Sequence, residues 1–220
     1  EKDGENYIIA GYPWFKCRAR DMFVSLPGLT LAIDEVDYYE KAMKTAEKAI
    51  ADFMEGKKSD IMMYEMDKPD VLLWAVWCIQ QYSRLIGAEA AIEKYGKLVD
   101  KIVSFILQGK HCNLDVHDNG LLSINGRERA MTWMNSEING KPVVPRSGYV
   151  VEINALWYNA LCFASALATN STLAANSSLA ASPEMEAQAQ KTAESFVNTF
   201  WNGLYLYDYV DGDYKDVEVR

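Results

Sequence analysis

The sequence predicts an all-α fold, and three observations carry that expectation. Apolar side chains recur at helical spacing through most of the chain. The helical segments come in two kinds, one amphipathic and one apolar on all sides, and the two alternate. The stretches between them read as loops. Alternation of this kind suits two layers, with all-apolar helices inside and striped helices outside. An α/α barrel satisfies it, and an irregular helical bundle satisfies it equally.

Residues 21–33 are taken as the first inner helix. Residues 35–55 then place Tyr39, Met43, Ala46, Ile50 and Phe53 at steps of four and three, one stripe on a charged helix. Gly56 is its expected stop. Residues 57–69 form a loop. In residues 70–86 the run from Val71 to Ile79 is apolar without a break, so that helix is buried on all sides. Asp70 at its head is expected to act as a cap, because helix N-termini attract carboxylates. Residues 89–108 return to a stripe of Ile92, Tyr95, Val99, Ile102 and Ile106, ending at Gly109. Residues 110–148 are read as loop. Residues 149–168 are apolar almost all round, and residues 183–201 are amphipathic. The small, polar segment 170–181 reads as a linker, with Ser182 as N-cap and Pro183 in the first turn. This gives three inner and three outer helices.

Composition narrows the function. The 220 residues carry a formal charge of −9 and no block of basic residues, which disfavours nucleic acid as a partner. No apolar run reaches the roughly 18 residues that cross a bilayer. Six Trp and thirteen Tyr supply flat rings for core packing or for stacking on sugars. Cys17, Cys78, Cys112 and Cys162 form no CxxC pair and are expected to be buried free thiols of a reducing compartment. The chain opens Glu1-Lys2-Asp3-Gly4, so its natural N-terminus is expected to lie upstream.

The residues that suggest chemistry gather in the segments before the inner helices. Gly11-Tyr12-Pro13-Trp14-Phe15 precedes Arg18 and the pair Arg20-Asp21. Aromatic rings beside an Arg-Asp pair can stack a sugar and grip its hydroxyls; a turn with a surface ion pair is the plainer alternative. A second cluster runs Thr132-Trp133-Met134-Asn135-Ser136-Glu137. A third holds Val144-Pro145-Arg146, then Glu152, Asn154 and Asn159 at the mouth of an apolar helix. Those polar groups are costly there unless hydrogen-bonded. His111, Cys112 and His117 with Asp115 and Asp118 match no strong metal template, so no metal site is expected. Phosphate loops, dinucleotide fingerprints and serine nucleophile elbows are absent from the sequence.

At these three clusters the sequence resembles the glucosidase domain of glycogen debranching enzymes. The blocks that carry the resemblance are Gly11 to Phe15, Arg20-Asp21, Leu26-Pro27-Gly28-Leu29, Asn119-Gly120-Leu121, Thr132-Trp133-Met134-Asn135, Val144-Pro145-Arg146 and Val151 to Ala160. The resemblance implies a six-fold α/α barrel related to glucoamylases. Residues 1–220 would then be a single truncated domain, the N-terminal half of that barrel. It also implies a cytoplasmic enzyme acting on glycogen, limit dextrin or malto-oligosaccharide. The implied reaction is inverting hydrolysis of an α-1,6-linked glucose at a branch point. By analogy, Trp14 and Trp133 would line the glucose pocket. Arg20, Asp21 and Arg146 would hold its hydroxyls, and Glu152 would orient the loop or the sugar. No cofactor is implied, because a carboxylic acid and a carboxylate roughly 6.5–9.5 Å apart suffice for inversion.

The chain departs from the family pattern at one informative position. Where the family carries the aspartate expected to be its general acid, this chain has Asn135. An amide donates a hydrogen bond but cannot deliver a proton as an acid. Glu137 is the alternative acid. The family's general base is expected beyond Arg220, so this segment alone is expected to be inactive. Against the hydrolase stand a non-catalytic glucan-binding module, which Asn135 favours, and a helical scaffold, which the Trp14, Arg20-Asp21 and Trp133 clustering disfavours.

Overall fold

The computed structural model describes residues 4–170 and 183–218. Among these residues there are six α-helices, with five short strands between the fourth and fifth and two after the sixth: α1 Ala19–Leu29, α2 Val36–Met54, α3 Val71–Ile86, α4 Ala88–Leu107, α5 Val151–Asn170 and α6 Pro183–Phe200. The linker 170–181 beyond Asn170 and the Ser182 cap lie outside the described residues, as do Val219 and Arg220.

The stripes read from the sequence become the packing faces. On α2, Tyr39, Met43, Ala46 and Ile50 are fully buried. Tyr39 stacks on Tyr82 of α3 with ring centroids 5.2 Å apart and meets Tyr95 of α4 edge-on at 6.3 Å. Farther along, Phe53 meets Phe105 of α4. One aromatic seam therefore joins α2 to α3 and α4. Ring pairs of this geometry contribute about 1 kcal/mol each beyond area burial. Gly56 ends α2 with φ of 66°, a left-handed conformation that costs a side-chain-bearing residue energy.

The apolar helices pack on one another: α1 lies against α3, and α3 against α5. α4 covers both α3 and α5, and α6 packs on α5. Burial follows. Val71, Leu72, Val76 and Ile79 of α3, with Ile153, Trp157, Ala160 and Leu161 of α5, are sealed from solvent.

The all-α expectation requires correction, because the segment read as loop 110–148 supplies strands. An antiparallel sheet runs in the order β1-β2-β5-β6-β7, with β1 Asp115–Val116, β2 Leu122–Ile124, β5 Gly148–Val150, β6 Tyr209–Asp211 and β7 Tyr214–Lys215. A separate hairpin pairs β3 Glu137–Ile138 with β4 Lys141–Pro142. These strands are two or three residues long, too short to show alternation in the sequence. Two glycines let the sheet close. A Cβ at Gly148 would sit 2.3 Å from the Val210 carbonyl oxygen, and one at Gly126 would sit 1.9 Å from that of Arg146. Asn154 fastens α5 beneath the sheet. Its Oδ1 accepts the Leu122 amide at 2.7 Å, while its Nδ2 donates to the carbonyls of Leu122 and Val150. The Asn154 side chain is thereby satisfied. The buried Nδ2 of Asn159 has no such partner among the described residues.

Of the cysteines, Cys17 and Cys78 are buried free thiols, Cys112 is exposed and Cys162 half-buried. The expectation of burial therefore holds for two of the four. Burial raises the Cys17 thiol to about 11 and the Cys78 thiol to about 12, which leaves both inert at neutral pH.

Candidate functional site

Four of the residues picked from the sequence line one cavity of about 450 Å³: Arg20, Asp21, Trp133 and Glu152. They arrive from separate places. Arg20 and Asp21 stand in the first turn of α1, Glu152 in the first turn of α5, and Trp133 in the segment between β2 and β3. Ile8, Ile9 and Ala10 form an apolar side with Val24 and Leu29 of α1, and Ser25, Asp70 at the head of α3 and Trp74 of α3 complete the lining.

The charges in this cavity are arranged in pairs. Arg20 donates from Nε to Asp70 Oδ2 at 2.5 Å and from Nη2 to Asp70 Oδ1 at 2.8 Å, a two-pronged contact. Asp70 also accepts the Trp74 indole N–H at 3.2 Å. Asp70 thus heads α3, yet its side chain makes no capping bond. The expected cap is corrected: a guanidinium opposite holds the carboxylate more strongly than backbone amides would. Burial works against the Arg20 cation, but Asp70 more than offsets it, and the guanidinium keeps its proton more firmly than usual. Asp21 is exposed at the cavity and makes no side-chain hydrogen bond or ion pair among the described residues. Its carboxylate is available to accept from hydroxyls.

Arg146 stands behind Glu152 rather than in the cavity lining. Its side chain is 2% exposed. Nη1 and Nη2 donate to the two Glu152 oxygens at 2.5 and 2.6 Å, while Nε and Nη2 donate to Asp208 at 3.0 and 2.6 Å. The guanidinium is fully engaged by two carboxylates and orients Glu152 toward the cavity. Burial again opposes the charge, and Glu152 and Asp208 outweigh it.

The remaining residues from the sequence lie elsewhere. Trp14 is 83% exposed and lies outside the cavity lining. Its loop is closed by the Phe15 amide donating to the Gly11 carbonyl at 2.8 Å, and Arg18 sits over the Phe15 ring. Asn135 is exposed two residues beyond Trp133, and its amide donates to the Trp133 carbonyl at 3.0 Å. Glu137 is exposed on β3 and accepts the Ala130 amide at 3.2 Å. His111 and His117 serve different neighbourhoods. His111 is buried against Phe53 and Phe105, and its Nδ1 accepts the Asn113 amide. His117 Nδ1 meets the Tyr149 hydroxyl at 2.7 Å.

Sequence reasoning missed Trp74, Lys68 and Asp208 as contributors to this region. Trp74 carried a signal: it lies four residues after Asp70, on the same helical face. Nothing local marked Asp208.

An apolar wall, an indole face, a free carboxylate and paired charges around one cavity form the kind of site that binds a polyhydroxylated ligand. Residues 1–220 match the family described as amylo-alpha-1,6-glucosidase over their whole length. The chain belongs to that family, which places it among glycoside hydrolases and implies a glucan as substrate. No curated protein and no solved structure matches it.

Proposed function

We propose that the cavity is the glucose site of an α-1,6-glucosidase that trims branch points of glycogen or limit dextrin with inversion, in the cytoplasm. One observation carries this reading: residues 20, 21, 133 and 152, from three separate parts of the chain, line the same cavity. Trp133 offers a ring face for the sugar. Asp21 accepts from its hydroxyls. Arg20 is divided between Asp70 and the ligand. Arg146 acts through Glu152. Helices α1, α3 and α5 supply the inner layer of about half an α/α barrel, and α2, α4 and α6 the outer layer. The packing of α1 on α3 and α3 on α5 supports that arrangement.

Inversion needs a carboxylic acid at the leaving oxygen and a carboxylate that activates water. Position 135 lies two residues beyond Trp133, a member of the cavity lining, and there the chain has an amide. With Asn135 the cavity binds sugar without protonating the leaving group, so the same observation supports a glucan-binding module as the second reading.

The test is release of free glucose from a limit dextrin bearing single α-1,6-linked stubs. It uses the full-length protein and its Asn135→Asp variant in parallel. Glucose from the Asp variant alone assigns the acid to position 135. Equal release by both moves the assignment to Glu137. Binding of maltose without release by either establishes the binding module.

A further inference from the structure

Lysine is almost never buried unless paired, yet Lys68 is 6% exposed. It makes no salt bridge among the described residues. Its ammonium instead donates to the backbone carbonyl of Ala130. An apolar pair of the same shape would hold two segments together without desolvating a cation. What a charged donor adds is strength and direction at one acceptor. Burial, and then the nearby Arg129 cation, loosen the hold of Lys68 on its proton, which makes the placement costly and points to a positional role.

The neighbours repeat the connection. Asp67 accepts from Arg129 Nη1 at 2.9 Å. On its other side the Ala130 amide donates to Glu137. Residues 67 and 68 are therefore fastened to residues 129 and 130, and the Ala130 peptide is held at both its carbonyl and its N–H. Two residues after Lys68 comes Asp70, partner of Arg20 in the cavity. Three residues after Ala130 comes Trp133, on the cavity wall.

We propose that Lys68 is a positioning residue: a strut that sets the distance between the α3 wall of the cavity and the segment carrying Trp133 and position 135. The inference rests on the reading of the cavity as a sugar site. A site loosened by about 1 Å loses much of its affinity even when all its residues are present.

The experiment compares the parent chain with Lys68→Met and with Arg129→Ala, whose side chain lies at the surface. It reads maltose affinity by tryptophan fluorescence and amide hydrogen exchange along the chain. For Lys68→Met the expectation is about tenfold weaker maltose binding, with faster exchange confined to residues 130–135. A residue that merely stabilises the fold would speed exchange in α1 and α3 as well, and that pattern overturns the proposal. So does unchanged maltose affinity in Lys68→Met. If Lys68→Met does not fold, Arg129→Ala decides: about twofold to threefold weaker binding with local loosening supports the strut, and parental behaviour refutes it. A parent that binds no maltose removes the sugar reading itself, a result distinct from a parent that binds and a variant that binds equally.

Discussion

Arg20 and Arg146 look alike in the sequence, each a basic residue just ahead of an apolar helix, but the fold uses them differently. Arg20 holds one carboxylate and remains in the cavity lining. Arg146 is withdrawn from solvent and divided between two carboxylates from distant parts of the chain. On the proposed reading, Arg20 in the lining serves the ligand directly, whereas Arg146, enclosed by acceptors, serves the architecture and acts through the carboxylate it orients.

The sharpest attempt to break that contrast is Arg146→Met. It leaves Glu152 and Asp208 without their cation, and a loss of about 4 kcal/mol in urea unfolding is expected. A loss below about 1 kcal/mol would show that water replaces the guanidinium, and the contrast would vanish.

The next effect lies outside both arginines, which keep their charge at every accessible pH, and isolates what acid does to this fold. Burial lowers the His111 imidazole to about 4, with Asp67 and Asp70 partly opposing. An unfolded histidine titrates near 6.5. Between those values the unfolded chain binds a proton that the folded chain refuses, so stability falls as pH falls from about 6.5 toward 4. The expected contribution is about 3 kcal/mol. His111→Gln should flatten the difference between unfolding curves at pH 7 and pH 4.5.

Arg20→Met is expected to cost about 2 kcal/mol of stability, less than Arg146→Met. Asp70 keeps its bond to Trp74, whereas Arg146→Met takes the guanidinium from two carboxylates. Its larger effect should be on maltose affinity. Smaller still is Trp133→Ala, with about fivefold weaker maltose binding and stability within about 0.5 kcal/mol. Trp14→Ala should change neither stability nor maltose binding measurably. A loss at Trp14 equal to that at Trp133 would mean that the exposed ring closes over bound sugar.

What could be read from the sequence follows physical range. Helices announce themselves within one or two turns, and the stripes ending at Gly56 and Gly109 place α2 and α4 to within a residue or two. The sheet escapes that reading because its strands are too short for a period and take their stability from remote partners. Trp133, Arg20, Asp21 and Glu152 stand out by residue type and local order, and the fold brings them to one cavity. The bond from Arg146 to Asp208 does not stand out, since it spans 62 positions and depends on the sheet register. Lys68 was hidden for a similar reason: its acceptor is a backbone carbonyl, which has no sequence signature.

The position of β5 also carries a kinetic consequence. This strand pairs on one side with β2 and on the other with β6, matching Val150 to Tyr209. Between those two residues the chain must pass through all of α5 and α6. Helical neighbours such as α3 and α4 can associate early, because little loop entropy opposes them. The β5–β6 register is expected to close late, and with it the contact of Asp208 to the guanidinium that holds Glu152. The chain is therefore expected to assemble its helical frame first and to define the cavity last, so a refolding protein should regain helicity before it gains the proposed maltose binding.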